Sequence, residues 1–279
     1  MKRTNNKYYV LCFKRRWGMM KAVLYVAHGS RMKEAVQETS VFVKKMMKRV
    51  DVPIQTLCFI ELAKPTIQEG IAQCIEEGAT HIAVVPILLL KAGHAKRDIP
   101  QEIAKAKETF PHVSFSYGRP FGVHESMIDV LVERIKEQQT RILPESRVLL
   151  VGRGSSDPSV LADFYKIKER LSKKLNVASI NVCYLAAAEP HLHEGLHQEI
   201  KSDAKQIFIV PYLLFTGLLM KSLEEKIKSI ESRNQTFILC KHMGYHEKIA
   251  GLFLNRVQEA LNEGNKGMLQ LKGRNRSYS

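Results

Sequence analysis

The chain lacks any pair of cysteines close enough to act together. Its five cysteines (Cys12, Cys58, Cys74, Cys183 and Cys240) are odd in number, and none forms a CxxC step. That pattern excludes a disulfide framework, a zinc ribbon and an iron–sulfur cluster, and suits reduced thiols in a cytoplasmic protein. Long apolar runs are missing too. None approaches the ~20 residues a membrane-spanning helix needs. The longest, Ile82 to Leu90, contains Pro86 and reads as a buried strand. Near the N-terminus, Tyr8 to Phe13 is too short for a signal-peptide core and runs straight into Lys14-Arg15-Arg16. No GxxxxGK[ST] run is present, and Gly152-Arg153-Gly154 does not continue into GxGxxG, so neither ATP use nor dinucleotide binding is indicated.

Acid is scarce at both ends. The net charge is +15, of which residues 1–20 carry +6 and residues 264–279 carry +4, leaving +5 for the body. A mild excess of that kind fits an acidic small molecule better than a nucleic-acid-binding face. Residues 1–19 read as a disordered basic extension, and 265–279 as a disordered tail.

Between these ends the pattern is βα alternation. Apolar strand-like runs lie near 22–27, 54–60, 82–90 and 113–117, then near 147–151, 179–185, 207–215 and 236–240. Helical patterns fall between them, as at Glu34–Val50 and Ser126–Gln138. Such alternation predicts parallel sheets covered by helices on both faces. The two sets correspond at a constant offset of 125 positions: His28-Gly29-Ser30 with Arg153-Gly154-Ser155, Pro65 with Pro190, and Val84 to Leu89 with Ile209 to Leu214. A period this long is a domain duplication. The expected units are an N-terminal α/β domain over 20–143 and a C-terminal, degenerate repeat over 144–264. Each is flavodoxin-like, joined through a polar linker at 138–145.

The repeat lets the sequence be compared with itself. His28 becomes Arg153, Glu61 becomes Ala186 and His94 becomes Leu219. Each of the first three residues follows a predicted strand of the N-terminal half. With strand order 2-1-3, the three strand ends are neighbours along one rim of one sheet, where ligands of open α/β sheets bind. Two imidazoles and a carboxylate suit a borderline divalent ion such as iron, cobalt, nickel or zinc, and equally suit a base with an orienting partner.

The residues His28-Gly29-Ser30-Arg31, Phe59-Ile60-Glu61-Leu62 before Pro65, and Val85-Pro86-Ile87-Leu88-Leu89 before Gly93-His94 resemble the class II chelatases. These include sirohydrochlorin ferrochelatases and sirohydrochlorin cobaltochelatases. The resemblance runs from about Met20 to about Gly264. Gly152 to Asp157 and Pro211 to Gly217 are most similar to the two-domain, bacillus-type branch. It implies a chelatase-like fold and ATP-independent insertion of a divalent metal into sirohydrochlorin, an octacarboxylate tetrapyrrole. The metal is then a substrate, and no cofactor is implied. His28 and His94 match the family's two histidines, as metal ligands or bases, and Glu61 its acidic position; His28 is the preferred base. Leu89, Leu90, Lys91, Ala92 and Gly93 are expected to wall the substrate, and Arg31, Lys91, Lys96, Arg97 and Arg153 are candidate partners for its carboxylates. A monomer is expected, because the second half stands where a partner subunit would.

The densest histidine cluster lies elsewhere, at His191, His193 and His197 around Glu194. It has no HExxH order and reads as an exposed helix face. His242 and His246 flank Gly244 at a strand-to-helix turn and read as structural or peripheral. Iron insertion is favoured over cobalt, because the histidine-rich tail and cysteine motif of some long cobalt enzymes are absent. Two further readings are a non-catalytic tetrapyrrole or metal carrier, and a nucleic-acid binder acting through the basic ends.

Overall fold

The computed structural model describes residues 20–232 and 234–274. The expected N-terminal extension lies outside them, as do 275–279. Eight strands form two four-stranded parallel sheets. The first contains β1 (Lys21–Ala27), β2 (Ile54–Phe59), β3 (His81–Ile87) and β4 (Ser114–Tyr117) in the order β2-β1-β3-β4. The second repeats it as β6-β5-β7-β8, from β5 (Arg147–Gly152), β6 (Ser179–Tyr184), β7 (Gln206–Tyr212) and β8 (Thr236–Leu239). Register repeats as well: Ala22 pairs with Ile54 and Arg147 with Ser179. The fold is therefore the doubled α/β arrangement expected from the repeat, with the central strand of each sheet leading to the rim.

The helices are α1 (Lys33–Met47), α2 (Ile67–Glu76), α3 (Ile99–Thr109), α4 (Glu125–Lys136), α5 (Pro158–Ser172), α6 (Leu192–Ile200), α7 (Leu218–Lys228) and α8 (Glu247–Arg274). Both faces of each sheet are apolar, so alternate residues of one strand enter different cores. Val23 and Tyr25 of β1 join Val148 and Leu150 of β5 in one central core between the sheets. Ala22, Leu24 and Val26 pack outward under α2 and α3, and Leu149 and Val151 outward under α6 and α7. The molecule is thus five layers, helices alternating with sheets.

Two features depart from the sequence reading. First, the helices that close each half are exchanged. α8 lies on β3 and β4, where Ser116 Oγ donates to the Ala260 carbonyl at 2.7 Å, and reaches β1, where Phe253 stacks on Tyr25 at 5.4 Å. α4 lies on β7, and its Arg134 donates to the Met243 carbonyl at 2.6 Å. Each compact unit therefore borrows a helix across the boundary expected at 143/144. Second, α8 continues to Arg274, into the segment expected as a disordered tail from 265. No proline interrupts its backbone hydrogen bonds after Glu247.

The predicted third strands are also too long. β3 ends at Ile87 and β7 at Tyr212, while the apolar runs go on to Leu90 and Phe215. The extra residues have left their sheets and line a cavity between the halves. No described helix is long and apolar enough to cross a membrane.

Candidate functional site

β1 ends at Ala27 and hands His28 to a turn that only glycine allows. Gly29 has φ +94°, and a Cβ there would sit 1.8 Å from the Glu61 carbonyl oxygen. That close approach brings the turn after β1 against the turn after β2, and the Glu61 N–H donates to the His28 carbonyl at 3.1 Å. The side chains meet as a result: His28 Nε2 lies 3.5 Å from Glu61 Oε1. The second half keeps the same backbone. Gly154 has φ +89°, its Cβ would lie 1.7 Å from the Ala186 carbonyl oxygen, and the Ala186 N–H donates to the Arg153 carbonyl at 2.8 Å. The fold was retained there while the chemistry was replaced.

His94 arrives from β3. Beyond the Leu88–Leu90 wall the chain enters a single wide π-turn over His94–Asp98, closed by the Ile99 N–H donating to the His94 carbonyl, before α3 begins. The Tyr117 hydroxyl donates to the Ala95 carbonyl within that turn at 2.9 Å. The His94 ring stands edge-on to His28, with centroids 4.8 Å apart. One ligand atom each from His28, Glu61 and His94 gather within 4.8 Å of one another, and among the described residues no other group of three His, Cys, Asp or Glu does so.

The two imidazoles have different supports. His28 Nδ1 lies 3.2 Å from the Gly29 carbonyl, to which it donates, leaving Nε2 as the free lone pair. That Nε2 is buried and has no hydrogen-bond partner. Burial, opposed by the hydrogen bond to Gly29 and reinforced by the Arg153 charge, lowers the His28 pKa from 6.5. A neutral ring with an unpartnered lone pair is what a divalent ion or a departing proton requires. His94 Nδ1 instead meets the Asp98 carboxylate at 2.6 Å.

His28 and His94 open on a cavity of about 610 Å³ between the halves, whose lining residues do not include Glu61. Leu89, Leu90 and Ala92 line it as expected, and so do Arg31 and Arg153. Lys91 and Gly93 are not among the lining residues. The Lys91 carbonyl accepts the Ser159 hydroxyl, and Gly93 faces the Arg97 guanidinium. Lys96 is diverted across the halves, its ammonium 2.6 Å from Asp157 and 2.8 Å from the Ser159 hydroxyl. Sequence reasoning missed the opposite wall, where Tyr212 to Phe215 and Gly217 to Met220 line the cavity. The signal was present: the apolar run there outlasts the strand. Asp98 was also missed, although it stands four residues after His94.

The histidine cluster on α6 does not assemble. Glu194 accepts the His191 backbone N–H at 2.6 Å, as Glu69 accepts that of Thr66 at 2.7 Å, so it is a helix-capping residue. His242 and His246 face Glu38 and Glu133 at 3.7 and 2.6 Å and connect the two halves.

A doubled parallel α/β fold that carries, among the described residues, one His–Glu–His cluster beyond its strand ends is an α/β protein with a donor set suited to a divalent ion. The chain belongs to the CbiX family, whose model matches residues 22–138 and again 147–260. It is 49% identical over 248 residues to the sirohydrochlorin ferrochelatase of Priestia megaterium, covering 88% of this chain and 93% of that one. It is 38% identical over 247 residues to the sirohydrochlorin cobaltochelatase of the same organism, covering 87% and 80%. Among solved structures, SirB from Bacillus subtilis with Fe3+ superposes with a TM-score of 0.80 at 42% identity, covering 87% of this chain and 96% of that one.

Proposed function

We propose that the protein is a sirohydrochlorin ferrochelatase, a metal chelatase that exchanges the two pyrrolic protons of sirohydrochlorin for Fe2+ and so makes sirohaem. The observation that carries this reading is the convergence of His28, Glu61 and His94 at a cavity walled by both halves. The metal enters as substrate, and no resident cofactor or ATP is required. The same donor set suits cobalt; the cobaltochelatase relative, with its lower identity, makes Co2+ the second reading.

In this mechanism the apolar residues Leu89, Leu90, Leu214 and Phe215 receive the faces of the macrocycle. Arg31 and Arg153 meet its carboxylates by charge-assisted hydrogen bonds. His28 Nε2, Glu61 and His94 Nε2 hold the ion as it sheds water; as the ion passes to the macrocycle, the imidazole lone pairs it leaves take up the protons that depart from the pyrrole nitrogens. One proton is released for each N–H broken, two per metal inserted, so charge balances. Arg153 explains why one half lost its histidine: a second base is replaced by a cation for an anionic substrate. The enzyme is proposed to act as a cytoplasmic monomer that supplies its own second half.

The test is anaerobic incubation of the purified protein with sirohydrochlorin and Fe2+ or Co2+, following tetrapyrrole absorbance. Multiple turnovers are expected, whereas a carrier binds stoichiometrically without accelerating metallation. His28→Ala and His94→Ala are each expected to slow metallation by about 100-fold or more, the scale of a lost acid–base or metal group. His193→Ala is expected to leave it unchanged. Parental rates in the first two variants would overturn the site.

A further inference from the structure

The π-turn that carries His94 occurs in only one half of the molecule, and so do the groups that shape it. His94 corresponds to Leu219 in the repeat, and Asp98 to Leu223, a fully buried core residue of α7. By sheet register Tyr117, which pairs with Val84, corresponds to Leu239, which pairs with Ile209. All three positions became leucine together, and the second half has a regular helix from Leu218 where the first has the wide turn. A pair of surface charges on a helix would have no reason to disappear along with the histidine, or with the tyrosine that holds the turn.

We propose that Asp98 is a positioning residue for metal capture: it fixes His94 as the Nδ1–H tautomer and aims Nε2 at the ion shared with His28 and Glu61. A carboxylate offers only acceptors, so the 2.6 Å contact commits Nδ1 to donate and leaves Nε2 as the sole lone pair of the ring. His28 reaches the same tautomer by donating to the Gly29 carbonyl. Both rings therefore present Nε2, each fixed by a different acceptor, as metal-ligating histidines are fixed by outer partners. Residues 94 and 98 stand four apart and so share one face of the turn while α3 continues behind them, and the Tyr117 hydroxyl donates to the Ala95 carbonyl there. The inference rests on the reading of His28, Glu61 and His94 as the metal-capturing cluster.

The test uses the full chain and Co2+ as the probe metal. Asp98→Ala is expected to weaken Co2+ binding, and to raise the KM for Co2+, by about 10- to 100-fold, the range for lost outer-shell partners. The KM for sirohydrochlorin and the melting temperature are expected to hold. Asp98→Asn, which keeps an acceptor oxygen, is expected to recover part of the loss. Nitrogen NMR of the metal-free parent is expected to show the His94 Nδ1–H tautomer, a readout independent of any variant's folding. Parental Co2+ affinity in Asp98→Ala, a joint fall in metal affinity, sirohydrochlorin affinity and melting temperature, or a parent His94 in the Nε2–H form would each overturn the proposal. Parental Co2+ affinity in both His28→Ala and His94→Ala would instead overturn the reading of the cluster itself.

Discussion

His28 and His94 sit edge to face, yet their Nδ1 atoms rest on different acceptors, a backbone carbonyl for His28 and a carboxylate for His94. His28 donates to a neutral carbonyl, is desolvated, and has the Arg153 guanidinium nearby. All but the first of these disfavour the imidazolium. In the metal-free protein its titration midpoint, followed by NMR, is therefore expected below 6.5, and Arg153→Gln is expected to move it upward. An unmoved midpoint in that variant would remove Arg153 as a cause. The sign for stability follows from the same shift. Between 6.5 and the lower folded value the unfolded chain binds a proton that the folded chain refuses, so stability falls as pH drops through that window. At this scale the sequence was informative for His28, Glu61 and His94, because each lies in the segment that leaves a strand end and its repeat partner cannot do the same chemistry. Asp98 had a signal, its place four residues after His94 where side chains share a helix face, but it carries no chemistry that stands out until His94 is seen to need a partner at Nδ1. Lys96 was illegible for another reason: proximity in sequence to His94 did not fix where its ammonium goes, and it turns to Asp157.

Elements position these residues through two glycine turns of identical form. A Cβ at Gly29 would overlap the Glu61 carbonyl, and one at Gly154 the Ala186 carbonyl, both at positive φ. Gly29→Ala and Gly154→Ala are each expected to lower the unfolding free energy by about 1–3 kcal/mol or more, measured by denaturant titration. Only Gly29→Ala is expected to weaken Co2+ binding, because Gly154 carries no metal-binding side chain beside it. Equal effects of the two on metal affinity would mean that the second turn also shapes the cluster. Strand identity and order were legible, since β propensity and alternation recur twice. Strand ends were not: Leu88 to Leu90 and Leu213 to Phe215 are apolar because they wall a cavity, and hydrophobicity alone does not separate that from a buried strand.

For the whole molecule, the duplication is plain in the sequence while the helix exchange is silent in it. α4 and α8 are repeat partners of similar amphipathic pattern, so trading their places preserves every periodicity. The trade has a consequence for any attempt to divide the chain. Under α8, Tyr25 of β1 and Gly118 and Phe121 beyond β4 pack against Phe253 and Ala260. The Arg256 guanidinium reaches in to the Pro120 and Phe121 carbonyls at 3.0 and 2.8 Å. A segment of residues 20–143 carries the whole metal cluster but none of that cover. It exposes a large apolar face and leaves those carbonyls without their buried donor, each loss costing on the order of 1–3 kcal/mol against a total stability of about 5–15 kcal/mol. Expressed alone, it is expected to aggregate or to lack a cooperative thermal transition by circular dichroism. Co-expressed with residues 144–279 it is expected to copurify as a one-to-one complex that regains metallation, because the second segment returns α8 to the first sheet and receives α4 in exchange. A cooperatively folded, Co2+-binding monomer of 20–143 would show that α8 is dispensable to the sheet it covers.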